Sequence, residues 1–558
     1  MLHHSGKLLV KVVNRSFAAV MGGPNALTIN RFTTRALSPL PAAPAFDANA
    51  IGDQWLQATP AAGAAYQNPW DLAHQTASAQ GYAEFMEPDL LNLPATPLPV
   101  PASQEADPSW PPATFVSPAW HLQDGFTGFL DVRAQATGKG VRIAHLDTGY
   151  ADQHVSKPRN LRPDLGWNFY EGNSSTIDPA TTGLLDNPGH GPATIAILAG
   201  NTVSLADGGQ IYNGDFGGAP DAEVVPVRVG PSVVHFYTAA VAQGLNWAIA
   251  PANDTANRCD VVTLSHGGVP SAAWADAVNA CYDAGIVVVA ASGDNVSVVV
   301  PLPTHSTVYP SAFGRVITVT GATYDKTPYV THGIGKMQGN WGPDIVMKKA
   351  VASFTPNIAK MVLGTTNGFY MNFGGTSAST PQVAAACALW IQLYGASYPA
   401  NWQRVEACRL ALFESVQNPG ADTEHIGRGI LNVPAMLDSA LAARIQALMA
   451  GGTVQPMQPD SVSFGFWRTL FNIAPPNSAE DAMYDLEVAQ ILHRSTQPEL
   501  ATAFLNYTNT GVIDPTQAPR LRTLLAAEPD ISNALTAKIA AIQAAPPAPV
   551  PVVPPPAG

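Results

Sequence analysis

The sequence predicts an α/β fold, a doubly wound parallel sheet with an N-terminal extension and a helical C-terminal region. Two observations predict it. Near-continuous Val/Ile runs such as GIVVVAAS (285–292) and VITVTGA (316–322) alternate with helical stretches from Trp120 onward. Strands so uniformly apolar are buried on both faces, as in parallel sheets. In addition, Asp147, Ser265 and Asp294 fall at the carboxyl ends of such strands, where open α/β sheets gather their reactive groups.

In chain order, residues 1–93 form an N-terminal extension. Lys7 to Val13 reads as a strand, and Asn68-Pro69-Trp70-Asp71-Leu72 reads as a helix start with Pro in its first turn. Tyr82 to Glu87 (YAEFME) reads as a short strand ended by Pro88. Prolines cluster through 94–116, which predicts a linker. The α/β domain occupies 117–445, with strands over 141–147, 222–229, 260–265, 285–292 and 316–322 and helices over 190–200, 237–250 and 271–285. A helical region follows over 446–545. It has a capping signal at Ser478-Ala-Glu-Asp481, and Tyr484, Val488, Ile491 and Leu492 lie on one helix face. Residues 546–558, rich in proline, predict an extended disordered tail.

Composition narrows the function classes. Charged residues are 12% of the chain and the net charge is -13. That balance excludes a nucleic-acid partner, which wants a basic surface, and gives no pull toward anionic membranes. No stretch approaches the length of a membrane span. The first residues do not read as a secretory signal, and the location of the protein stays open. Cys259, Cys281, Cys387 and Cys408 lack metal-site spacing and read as small buried hydrophobes. Cys259 and Cys281 are the first pair to test for a disulfide.

Three segments carry chemistry. FGGTSASTPQVAAACALW (373–390) sets Ser377 at the start of a long Ala-rich helix, where the dipole favours a developing negative charge. VRIAHLDTGY (141–150) ends a buried strand on Asp147. NPGHGPATIAILAG (187–200) sets His190 between glycines at a helix start. A nucleophile, a base and an acid to orient the base are the parts of an acyl-transfer site. Their order Asp, His, Ser is that of subtilisins and not of chymotrypsin.

These segments, with GGAPDAEVVPVRV (217–229), DVVTLSHGG (260–268), GIVVVAASGD (285–294) and IGRGILNVPAM (426–436), resemble the subtilisin-like (subtilase) serine proteases over roughly residues 120 to 440. The resemblance implies a parallel seven-stranded sheet and serine endopeptidase activity through an acyl-enzyme, with Asp147, His190 and Ser377 as the triad. It implies that Ser265, His266, Gly267 and Gly268 line the substrate cleft, and that Ala291, Ser292 and Gly293 wall the P1 pocket. No cofactor is required. Structural calcium is common in the family, but no ligand set is assigned here. Residues 82–89 resemble the final strand of the family's inhibitory propeptide, which would make 1–93 an intramolecular partner processed within the linker; the alternative is an extension without that role. The expected partners are a protein or peptide substrate and, for the C-terminal region, another protein.

Two positions depart from the family pattern. Pro192 stands where Thr is usual. Asp294 stands where the family has an Asn that donates to the oxyanion. The donors are then the Ser377 backbone with either Asp294, if protonated, or Asn295. SGD also resembles the sedolisins, which lack the His frame seen here. The alternative to an active peptidase is a catalytically impaired binding protein on the same fold.

Overall fold

The computed structural model describes residues 4–12, 32–36, 54–60, 68–81, 84–92, 116–180, 188–233, 236–296, 306–330, 336–462 and 465–544. Most of the predicted linker and all of the predicted tail lie outside these residues.

The N-terminal segments supply β1 (His4–Val12), β2 (Phe32–Ala36), β3 (Gln54–Pro60), α1 (Pro69–Ser78) and β4 (Phe85–Asn92). The body begins with β5 (Arg142–Asp147), β6 (Trp167–Asn168), α2 (His190–Ala199), β7 (Thr202–Asp207), β8 (Gln210–Asp215) and β9 (Glu223–Arg228). It continues with β10 (Phe236–Tyr237), α3 (Thr238–Trp247), β11 (Val261–Leu264), α4 (Ala272–Asp283), β12 (Val287–Ala291) and β13 (Asp294–Val296). Then come β14 (Ile317–Ala322), β15 (Met337–Gly339), α5 (Asp344–Met347), β16 (Ala350–Phe354), β17 (Ile358–Met361) and β18 (Phe369–Phe373). It closes with α6 (Thr376–Tyr394), α7 (Trp402–Glu414), α8 (Val433–Met436) and α9 (Ser439–Ala450). The C-terminal helices are α10 (Phe466–Phe471), α11 (Ala479–Arg494), α12 (Pro498–Thr510), α13 (Ala518–Ala526) and α14 (Asn533–Ala544).

The body is built on a seven-stranded sheet in the order β16-β14-β12-β11-β5-β9-β6, and its neighbouring strands pair in parallel. Its strands alternate between two cores. Ile143, Val261, Val287 and Val289 face one core with α2 and α6. Ala144, Val262, Val288 and Ala290 face the other with α3 and α4. Both faces are therefore covered, which is why the runs are apolar throughout rather than alternating.

The N-terminal strands form a second sheet, β10-β4-β1-β3-β2, that reaches the body through β4 and β10. Its strand β4 differs from expectation, because it starts at Phe85 and runs through Pro88 to Asn92 instead of ending there. Pro88 pairs with Leu8 on one side, while β10 meets β4 only at Leu91 and Asn92. At Pro88 the strand is thus an edge, where a missing N–H is tolerated. The exposed hairpin β7–β8, turning at Gly208-Gly209, was not read from the pattern.

Asn68 accepts from the Trp70 amide at the predicted helix start, and Ser478, the predicted cap, accepts from that of Asp481. All four cysteines are buried and unpaired. No helix among the described residues is long and apolar enough to cross a membrane.

Candidate active site

Asp147 ends β5 at the carboxyl edge of the sheet and is buried. Its two oxygens are fully engaged. Oδ1 accepts from the Thr148 amide at 2.7 Å and lies 2.8 Å from His190 Nδ1. Oδ2 accepts from the Thr194 hydroxyl at 3.1 Å. Burial alone would raise this carboxyl, but the His190 ring, hydrogen-bonded to it, and the nearby His145 and His266 more than reverse that and hold it well below the usual carboxylate range. Asp147 is therefore held as the anion.

His190 opens α2 behind Gly189. Gly191 must be glycine, because a Cβ there would sit 2.4 Å from the Gly149 carbonyl oxygen. Thr148 and Asp178 tie this turn to the end of β5. Thr148 Oγ1 accepts from the Gly191 amide at 2.9 Å and donates to Asp178 Oδ2 at 2.8 Å. Asp178 Oδ2 also accepts from the Gly189 amide at 2.9 Å. Pro192 is easily accommodated. It lies in the first turn, where an N–H would have no intrahelical acceptor. With Nδ1 on Asp147, Nε2 of His190 is buried and without a hydrogen-bond partner.

Ser377 is the second residue of α6, behind Gly375 at φ 73. Its hydroxyl donates to the Ser265 carbonyl at 3.0 Å, so the expected hydrogen bond from Ser377 to His190 is not made in this conformation. The Ser265 hydroxyl in turn donates to the Ser377 carbonyl at 3.2 Å. Pro381 explains that second bond. Four residues into the helix beyond Ser377, it lacks the N–H that would otherwise satisfy this carbonyl. The end of β11 fills the gap.

Asp294 is engaged by Thr376, the residue before the serine. Its Oδ1 accepts from the Thr376 amide at 2.8 Å, and its Oδ2 lies 3.2 Å from the Thr376 hydroxyl. The carboxylate thus caps the helix that carries Ser377. Asn295 is engaged as well. Its amide donates to Asn340 Oδ1 at 2.6 Å and its carbonyl accepts from Gln338 at 2.8 Å.

The expected cleft residues come together along the ends of β11 and β12. Gly268 exchanges backbone hydrogen bonds with Tyr309. It also lies against Asn92, at whose Oδ1 a Cβ on Gly268 would collide, 2.0 Å away. His266 is buried with both ring nitrogens unpartnered, and burial pushes it down to about 4. Burial likewise pushes His145 down to about 4, although Asp147 opposes this. Gly267 lies between His266 and Gly268, while Ala291, Ser292 and Gly293 follow one another at the end of β12, with Ser292 wholly buried.

Sequence reasoning missed Thr194, Thr148, Asp178 and Thr376. Thr194 had a signal, lying four residues after His190 and hence on the same helix face. Asp178 had none. No group of three or more His, Cys, Asp or Glu placed to hold a metal ion occurs among the described residues.

The profile of the Subtilase family matches residues 138–425. Subtilisin DY of Bacillus licheniformis is 28% identical over 307 residues, 54% of this chain and 93% of that protein. Subtilisin Savinase of Lederbergia lenta is 30% identical over 300 residues, 54% of this chain and 91% of that protein. A solved structure, the prenylagaramide maturation protease PagA, is 18% identical with a TM-score of 0.41, over 56% of this chain and 97% of that one.

Proposed function

Since the chain belongs to the Subtilase family of serine-type peptidases, we propose that it hydrolyses peptide bonds through an acyl-enzyme formed on Ser377, with His190 as base and Asp147 as its orienting anion. The carrying observation is the short contact between Asp147 and His190 Nδ1, which leaves the buried Nε2 without a partner. An imidazole oriented this way by its Nδ1 contact turns Nε2 out to take a proton.

On substrate binding the Ser377 hydroxyl turns from the Ser265 carbonyl to His190 Nε2. Catalytic hydrogen bonds commonly tighten only in the complex. Oγ attacks the scissile carbonyl carbon while its proton passes to Nε2. The Ser377 amide, at the start of α6, meets the oxyanion. His190 then gives the proton to the departing amine as the C–N bond breaks. A water, deprotonated by His190, attacks the ester and releases Ser377. Residues 265–268 pair with the substrate backbone, and 291–293 wall the pocket for the side chain before the cut.

Asp294 fits this scheme as an acceptor that fixes the helix start, not as a protonated donor. A fluorophosphonate tests the proposal. It labels the wild-type chain at Ser377 and does not label Ser377→Ala. No labelling across about pH 4 to 9 defeats it.

A second reading, a binding protein with impaired chemistry, is favoured by the absence of an Asn at 294 and by the Ser377–Ser265 hydrogen bond. One lost oxyanion donor costs about 10²–10³ in rate. A gain of that size in Asp294→Asn would favour this second reading.

A further inference from the structure

The C-terminal helices enclose a core of their own, which includes Phe466, Trp467, Leu500 and Leu525. Helix α11 differs from the others because it is buried on two sides. Tyr484, Val488, Ile491 and Leu492 face the C-terminal core. Met483 and Leu486 belong instead to the core shared by the N-terminal sheet and the body.

Along that second side lie polar groups matched to α1. Glu487 Oε2 lies 3.0 Å from His74 Nε2, both side chains being buried. The His74 ring stacks on Tyr484 with centroids 4.3 Å apart. Gln490 accepts from the Trp70 indole at 2.9 Å and donates to the Pro270 carbonyl of the body at 2.9 Å. At the start of α14, Asp71 accepts from the Asn533 side chain at 2.8 Å and the Ala534 amide at 3.1 Å. Asn68 donates to the Asp530 carbonyl at 2.9 Å.

On its other flank the N-terminal module grips the body through β4. Glu87 accepts from the Ser271 hydroxyl and the Ala273 amide, both at 2.9 Å, at the start of α4. Asp89 accepts from the Ala239 amide at 2.8 Å at the start of α3. The N-terminal module is therefore held from both sides. One grip comes from the body, and the other from a helix whose buried Glu487 and Gln490 would each lose one partner without α1.

We propose that residues 465–544 are an intramolecular clasp for the N-terminal module. After a cut between residues 93 and 115 the N-terminal fragment stays seated, and it leaves only when the contact of α1 with α11 and α14 opens. The bond energy of the chain is then no longer what retains the fragment; the buried polar matches at residues 68–74 are. A consequence for peptidase activity rests on the proposed function. A seated fragment keeps Asn92 against Gly268 and Val269, in the segment proposed to pair with substrate, and its departure frees that segment.

The experiment uses the full chain carrying Ser377→Ala, with a recognition sequence for a site-specific protease placed within 94–115. Without its nucleophile the chain reports binding alone, so the outcome is independent of the peptidase reading. After cutting, the labelled N-terminal fragment is followed through gel filtration. The unaltered clasp keeps the fragment bound. His74→Ala with Asp71→Ala speeds its loss about 100-fold, as expected for opening a buried polar pair. Gln490→Ala, on the opposite side of the contact, speeds it about tenfold. This second variant settles the matter if the first disturbs folding of the N-terminal module. Loss at an unchanged rate in Gln490→Ala, or immediate loss from the unaltered chain, overturns the proposal.

Discussion

Thr194 shows how much of the candidate site rests on side chains outside the proposed triad. Its hydroxyl holds Asp147 Oδ2 and lies 2.8 Å from His145 Nε2. Thr194→Val leaves one oxygen of a buried carboxylate unpaired, a loss of about 1.5–3 kcal/mol for a hydrogen bond to a charged group. We expect kcat to fall about tenfold with KM little changed, measured on a peptide substrate. An equal rise in KM would show that Thr194 shapes substrate binding instead. Asp147, His190 and Ser377 were singled out because each stands in a motif with its own local frame, and the structure joins the first two. Thr194 was legible in principle from helical spacing. Asp178 and Asn340 were not, because they meet the site across loops that carry no periodicity. The conformation of the serine hydroxyl was also beyond the sequence, since it turns on whether Ser265 or His190 offers the better acceptor before substrate arrives.

At the level of elements, the register between β11 and α6 depends on a proline. Pro381 removes an amide from the helix, and the Ser265 hydroxyl supplies the missing donor to the Ser377 carbonyl. Ser265→Ala leaves that carbonyl unpaired and should cost about 1–3 kcal/mol in chemical denaturation. In a Pro381→Ala background the restored N–H takes over, so the same change should cost about 1 kcal/mol less. Strict additivity of the two changes would refute the compensation. Five of the seven body-sheet strands were legible from their apolar runs, with ends within a few residues of those observed, whereas the edge strands β6 and β16 were not. The second side of α11 was not, because Glu487 and Gln490 at buried positions look like a solvent face in a single sequence. The end of β4 was missed for a related reason: Pro88 reads as a stop, and only the strand order shows that it sits where no neighbour needs its amide.

At the scale of the whole molecule, buried histidines make it lose stability toward acid. Burial pushes His121 down to about 3, and His493 down to about 4. In the unfolded chain these rings have their ordinary value of 6.5. Between the two values the unfolded chain binds more protons, so stability is full above the ordinary value and is lost as pH falls toward the folded one. At pH 5 His121 alone accounts for about 2 kcal/mol of that loss. His121→Leu should therefore flatten the fall in Tm between about pH 6.5 and 4, and parallel curves for the two proteins would contradict this. Glu87 works in the opposite sense. Burial pushes it up to about 8 against the pull of the Ala273 and Ala272 amides and the Ser271 hydroxyl, so its contribution is present below its ordinary value of 4.5 and is lost as pH rises through 8. The contact between His74 and Glu487 joins residues 413 positions apart, so the chain is in effect a closed loop around its own body. Trimming either flank strips cover from the other, uncovering Trp70 in one case and Met483 and Leu486 in the other. Shortened versions of this protein should thus aggregate whichever end is removed, while an internal nick that spares both flanks leaves a soluble particle.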